Sequence, residues 1–280
     1  MDFVGQHAII TGGTSGIGRA LARLLSERGA HVSLIARRQS LLDETLTELE
    51  SLRADPAQTF SARSADIASW EETERAIHSL VVDGPAPDLL FNVAGFCHPG
   101  YVQDLTIEIF RDTMDVDYFG TVHATKAVIP IMMARHRGHI INFSSAAGFY
   151  AIFGFSPYCA AKFAVCGFSE ALRQEMRPYG VHVSVVFPPT TNTPGLEREN
   201  LYKPLETQRI EGGAVKAQSA DQVARTVLRG VERRQRDILP GLDTKVLFLL
   251  AHLPPALTGV FHWFFIDRII AGVNRERQLP

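Results

Sequence analysis

A doubly wound α/β fold is what this sequence predicts, with about seven strands in one parallel sheet and helices on both of its faces. Three observations carry the prediction. Short apolar runs alternate along the chain with helical stretches of ten or more residues, the spacing that parallel strands need for their crossovers. The apolar runs are nearly continuous rather than alternating, as expected of strands covered on both sides. The chemically distinctive motifs fall just after strands, where an open α/β sheet binds its ligands.

In chain order, His7–Thr11 reads as the first strand, and a helical stretch from about Gly16 to Arg28 follows it, closed by Gly29. His31–Ala36 is the second strand, Leu41–Arg53 has helical periodicity, and Thr59–Arg63 is a weaker third strand. Ser69-Trp-Glu-Glu72 is a capping box that opens a helix to about Val82. Asp88–Asn92 is the fourth strand, helices run on to about Arg137, and His139–Phe143 is the fifth strand. A helix over Pro157–Met176 precedes the sixth strand, Val181–Phe187. A second capping box, Ser219-Ala-Asp-Gln222, opens a helix to about Arg234, and Asp237–Leu239 makes a short seventh strand.

The 280 residues are 46% hydrophobic and 21% charged, ordinary for a globular chain. A net charge of −2 excludes the basic footprint of a nucleic-acid binder. Cys97, Cys159 and Cys166 are an odd number without metal-ligand spacing, so they read as reduced thiols, and no metal site is expected. The first residues are too short for a signal-peptide apolar region. The expected organisation is a nucleotide-binding domain over 1–241, with a substrate lid at about 195–216, and an apolar extension over 242–280.

"TGGTSGIGRA" joins the first strand to the first helix. Gly12, Gly16 and Gly18 permit a tight turn and close approach of a pyrophosphate, with Thr14, Ser15 and Ile17 completing the loop. The helix start then offers free N–H groups and the positive end of its dipole. An NAD site usually carries an acid at the end of the second strand. Here "LIARRQS" places Arg37 and Arg38 there instead, a guanidinium pair suited to the 2′-phosphate of NADPH/NADP+, with Ser15 as a further hydroxyl.

"SPYCAAKFAV" sets Tyr158 and Lys162 four apart on one helical face, and "INFSSAAG" places Ser144 and Ser145 at the carboxyl end of the fifth strand. With "NVAG" (Asn92–Gly95) after the fourth strand, these motifs resemble the short-chain dehydrogenase/reductase family in order and spacing, from about Asp2 to Leu239. The resemblance implies a Rossmann-type sheet, a nicotinamide cofactor and a Ser–Tyr–Lys mechanism. It implies Ser145 as the catalytic serine, Tyr158 as the acid/base and Lys162 as its partner. It further implies Asp66 and Ile67 beside the adenine, Asn92, Ala94 and Gly95 lining the cofactor, and Pro188 and Thr193 near the nicotinamide. A phenol ionises near pH 10, and a lysine ammonium nearby favours the phenolate.

Two positions depart from the family pattern. "MDVDYFG" puts Asp117 in the catalytic set where the family usually has Asn, whose main chain holds a water in a proton relay. If only the carbonyl acts, Asp is tolerated; if the side chain acts, an acid beside Lys162 raises the lysine pKa. Pro189 replaces a usual Gly and stiffens its loop.

The block from Arg177-Pro-Tyr-Gly through Gly195, with its proline pair, and Glu199-Asn through Thr207 resemble the 3-ketosphinganine reductases of that family, although Thr190 stands where they often have Asp. The implied substrate is a long-chain sphingoid ketone, reduced at C3 with NADPH. Glu197, Glu199 and Glu206 are candidate partners for its ammonium or else solvated charges, and Gly148–Ser156 either lines the substrate mouth or packs. Alternative substrates are a 3-oxoacyl thioester or a steroid; a cofactor-binding sensor without turnover is the rival of another class. The apolar run 246–266 is broken by Pro254-Pro255 into pieces too short to span a bilayer, which needs about 20 residues. It reads as a peripheral or monotopic membrane contact on the cytoplasmic face, or as a subunit interface in a homo-oligomer, dimer or tetramer.

Overall fold

In the computed structural model, which describes residues 3–211, 217–253 and 267–276, every apolar run read as a strand forms one. The elements are β1 (His7–Thr11), α1 (Gly16–Ser26), β2 (His31–Ala36), α2 (Gln39–Ser51), β3 (Phe60–Ser64), α3 (Trp70–Val82) and β4 (Leu89–Asn92). After β4 come α4 (Ile107–Met114), a π-helical turn (Asp115–Phe119), α5 (Gly120–Ala134), β5 (Gly138–Phe143), α6 (Ser156–Met176) and β6 (Val181–Val186). The remainder holds β7 (Thr191–Asn192), α7 (Pro194–Asn200), α8 (Leu205–Glu211), β8 (Gln218–Ser219), α9 (Ala220–Glu232), β9 (Asp237–Ile238) and α10 (Leu242–Ala251), then a helix at Arg268–Glu276.

Seven strands pair in parallel in the order β3-β2-β1-β4-β5-β6-β9. The order reverses between β1 and β4, which opens a crevice beyond their carboxyl ends. Each central strand feeds two cores because successive side chains point to opposite faces. Ile10, Leu89 and Phe91 join α1 and α9 through Leu21, Leu25 and Val227. Ile9 and Leu90 join α3, α5 and α6 through Ile77, Val128 and Leu172. Both faces are apolar, which explains the continuous hydrophobic runs.

The predicted cap on α9 forms in full: Ser219 and Gln222 exchange side-chain and backbone hydrogen bonds at 3.1 and 3.2 Å. On α3 only half of the box forms. Ser69 accepts from the Glu72 amide at 3.3 Å, but the Glu72 carboxylate accepts from the Asp66 amide at 2.9 Å. That bond ties the helix start to the loop after β3 rather than to its own cap.

Candidate active site

The loop between β1 and α1 is shaped by what its glycines lack. A Cβ on Gly12, at φ +71°, would lie 2.8 Å from the Ala94 Cα, and one on Gly18 would lie 2.3 Å from the Gly12 carbonyl oxygen. The turn therefore folds flat against the strand ends. Ser15 begins α1 with no side-chain capping bond, so the first-turn amides remain open to an anion. Ile17 anchors the loop to the core and Thr14 is buried, leaving Ser15 exposed. Thr193 caps α7 and brings its methyl to 3.0 Å from where a Gly16 Cβ would be. Pro188 lies just past the carboxyl end of β6.

Arg37 ends β2 with its side chain 73% exposed and a guanidinium nitrogen 3.9 Å from Asp66. Arg38 begins α2 beside it. No acid stands at this strand end. The open amides, the glycine turn and these two cations together fit a dinucleotide carrying an additional phosphate.

Two of the expected lining residues have buried side chains. Asn92 is buried, and its amide nitrogen donates to Thr125 at 3.0 Å and to Asn142 at 2.8 Å; Asn142 in turn donates to Ser169 at 2.9 Å. Its side chain therefore braces β4, β5, α5 and α6 instead of facing the crevice. Ile67 is also buried, with its side chain pressed on Gly120 at the start of α5. Of the expected adenine pair, only Asp66 keeps its side chain partly open, accepting from the Ala68 amide at 3.0 Å.

The structure separates the serine pair. Ser144 is buried, and its hydroxyl donates to the Lys162 carbonyl at 3.0 Å, a structural tie. Ser145 is half-buried, and its hydroxyl accepts from the Ala147 amide at 3.2 Å while its side chain lowers the pKa of the neighbouring Tyr158 phenol. One helical turn along α6, the Lys162 ammonium lies 5.4 Å from the centre of the Tyr158 ring and donates to the Phe143 carbonyl at 3.1 Å. Burial pushes the Tyr158 phenol well above its ordinary value, Asp117, Cys97 and Glu199 push in the same direction, and the Ser145 contact opposes them.

Asp117 is fully buried on the π-helical turn, with a carboxylate oxygen 2.6 Å from the Lys162 ammonium. Its other oxygen accepts from the Phe96 amide at 3.3 Å. A Cβ on Gly95 would lie 2.3 Å from that carboxylate, so glycine is needed there to let the pair form beneath the loop. Of the two possibilities for this position, the structure realises the one in which the side chain meets Lys162.

The segment expected as a lid contains α7 and α8, with 212–216 outside the described residues. It docks on the apolar run after β5: Thr207 donates to the Phe153 carbonyl at 2.8 Å, and Pro204 packs on Gly154. Glu197 is exposed, as a solvated charge would be. Glu206 is not solvated: it is buried and accepts from the Tyr101 hydroxyl at 2.7 Å. Glu199 pairs with the buried Lys203 at 2.8 Å. Helical spacing reveals the Glu199–Lys203 pair, four residues apart, but not Tyr101, which lies 105 residues away from Glu206.

Phe149 packs edge-on against Phe187 and Phe248, so α10 packs against the apolar segment after β5. On the outer side of α10, Leu242, Val246 and Leu249 are exposed, followed by Leu253. No described helix is long and apolar enough to cross a membrane. The remainder of the expected membrane segment, 254–266, lies outside the described residues.

Residues 6–203 match the family model described as short chain dehydrogenase. A 3-ketodihydrosphingosine reductase of Dictyostelium discoideum is 38% identical over 97% of this chain and 84% of its own length. A short-chain dehydrogenase from Sphingobium yanoikuyae, solved in complex with NADPH, superposes with TM-score 0.74 at 25% identity, covering 90% of this chain and 97% of that one. A short-chain dehydrogenase/reductase from Burkholderia phymatum, solved in complex with NAD, shares the fold with TM-score 0.78 at 23% identity, over 89% and 94% of the two chains. With the glycine turn, the Ser145–Tyr158–Lys162 cluster and a family match across most of its length, the chain belongs to the short-chain dehydrogenase family.

Proposed function

We propose that the protein reduces the C3 ketone of 3-ketosphinganine to the hydroxyl of sphinganine with NADPH, a step of sphingolipid biosynthesis. The observation that carries the reading is the placement of Ser145, Tyr158 and Lys162 at the carboxyl edge of the sheet, beside a turn fitted to a dinucleotide. The substrate class is supported by the relative that carries that name.

The crevice would hold a reduced nicotinamide, whose chemistry would be hydride supply to the carbonyl carbon. The Ser145 hydroxyl orients the carbonyl oxygen by hydrogen bonding, and the Tyr158 phenol donates the proton that oxygen needs. The Lys162 ammonium, paired with Asp117, lies against the Tyr158 ring. Gly12, Gly16 and Gly18 with the α1 amides hold the pyrophosphate. Arg37 and Arg38 hold the 2′-phosphate, with Ser15, and Asp66 borders the adenine. The main chain of Ala94 and Gly95, with Pro188 and Thr193, borders the nicotinamide half.

Arg37→Ala is expected to raise the KM for NADPH by about 10–100-fold, the worth of a hydrogen bond to a charged group, and to leave the KM for NADH nearly unchanged. Equal loss for both cofactors would remove Arg37 from the 2′-phosphate site.

The exposed stripe of Leu242, Val246 and Leu249 on α10, beside the mouth, supports a peripheral contact of the 242–280 extension with the cytoplasmic face of a membrane. A bilayer is where a long-chain ketone resides. The helix Arg268–Glu276 is linked to lid helix α8 by the ion pair of Glu276 with Arg209 at 2.6 Å, which would connect lipid contact to the lid. Exposed Ile107, Phe119 and Phe163 support self-association as a dimer or tetramer.

NADPH oxidation with 3-ketosphinganine in micelles or liposomes tests the function, beside a 3-oxoacyl thioester. Turnover of the sphingoid ketone, weak on the thioester, is expected. Turnover of the thioester alone would overturn the substrate assignment and favour the second reading, a reductase of another carbonyl.

A further inference from the structure

The Asp117 carboxylate touches the catalytic machinery directly, and its main chain is engaged elsewhere. The Asp117 carbonyl accepts from the Thr121 hydroxyl at 3.0 Å, closing the first turn of α5. The carboxylate, fully buried, lies on the Lys162 ammonium at 2.6 Å and is steadied by the Phe96 amide at 3.3 Å. Lys162 is itself 4% exposed. Its remaining contacts are the Phe143 carbonyl and the Tyr158 ring. Opposite charges buried in such contact present little net charge to a third group a few ångströms away.

We propose that Asp117 is a positioning residue that neutralises the Lys162 ammonium from beneath and thereby keeps the Tyr158 phenol protonated, so that the proton donor of the reduction stays loaded into the alkaline range. This rests on the proposed Tyr158–Lys162 reductase reading and deepens it. An asparagine at the same place could accept or donate a hydrogen bond but would leave the ammonium unpaired, and an unpaired cation favours phenolate.

The charged and titratable groups around the phenol agree on the direction. Asp117 faces it from the π-helical turn, Cys97 from the loop after β4 and Glu199 from α7; all three disfavour a negative charge on Tyr158. Lys162, on its own helix, is the cation on the opposing side, and it is the one Asp117 occupies. Burial outweighs the ammonium at Asp117, holding its carboxyl above the ordinary carboxylate range, so the carboxylate neutralises Lys162 only above that raised value.

The test is the pH dependence of kcat in both directions, with NADPH and the sphingoid ketone and with NADP+ and the alcohol, for the intact protein and for Asp117→Asn. In the variant, the alkaline fall of reduction and the onset of oxidation should both move to lower pH by about one unit or more. The two limbs move in the same direction because both report the ionisation of one phenol, protonated for reduction and ionised for oxidation. Limbs that stay in place in a folded, NADPH-binding Asp117→Asn protein would overturn the proposal, as would a fall in kcat without a shift.

A second measurement needs neither a folded Asp117 variant nor any ketone. The ultraviolet difference titration of the unsubstituted protein against Tyr158→Phe reports the phenol itself. No Tyr158 phenolate is expected between about pH 7 and 9, below the ordinary tyrosine value. Phenolate appearing in that window would overturn the proposal. Because no ketone is added, this outcome is separate from failure of the substrate assignment.

Discussion

Tyr158→Phe is expected to lower ketone reduction by about 10²–10⁴-fold, the usual worth of a positioned proton donor, while NADPH still binds. The phenyl ring keeps its place in the small cluster with Ala147, Phe155 and Cys159, so packing survives. The ring also keeps its face toward the Lys162 ammonium. What disappears is the phenol O–H, the group whose pKa the Ser145 side chain lowers. Saturation kinetics with NADPH and 3-ketosphinganine, alongside a direct NADPH titration, check this. A variant that retains kcat within about threefold would show that the proton comes from elsewhere.

Acidification from about pH 7.5 to pH 5 is expected to cost roughly 4 kcal/mol of folding stability through two buried histidines, about 2 kcal/mol each. His7 is held neutral, its pKa lowered to about 4 mainly by burial, and His139 is lowered to about 3 for the same reason. The sign follows from linkage. Below the unfolded value of 6.5 the unfolded chain takes up protons that the native protein refuses, so stability is fully present above that value. It drains away as the pH falls toward the native values.

Geometry explains the refusal at His139. The Ser184 hydroxyl donates to the Gln235 carbonyl, so the contact of 2.7 Å between Ser184 and His139 Nε2 requires the proton on Nε2. Nδ1 is buried with no hydrogen-bond partner among the described residues, and protonating it would bury an N–H without an acceptor. Urea unfolding at the two pH values measures the loss, and His139→Phe should remove about half of it. An unfolding free energy that is the same at pH 7.5 and pH 5 would refute the account.

Both largest effects depend on groups whose roles were unequally legible in the sequence. Tyr158 and Lys162 share one helix, so their four-residue spacing already puts both on one face. The glycine loop is equally local, since a turn, a strand end and a helix start are all encoded within ten consecutive residues. His7 and His139 are different. Each sits within an apolar strand, and nothing near it in sequence indicates the serine partner on the neighbouring strand.

The continuous apolar strands, the helical periods and the caps determined the α/β class, the seven strands of the main sheet in chain order, and the strand ends at which the motifs sit. These rest on short-range rules of period and turn, which a linear sequence displays directly. Only the tertiary structure decided that Ser144 is tied to the Lys162 carbonyl, that Asn92 braces the core, and that Glu206 is buried against Tyr101. It alone decided that the Asp117 carboxylate meets Lys162, a contact between the π-helical turn and α6 across 45 residues of chain. Such contacts follow from how the crossovers pack helices onto the sheet, and the charge state of a buried group depends on that packing more than on its own identity.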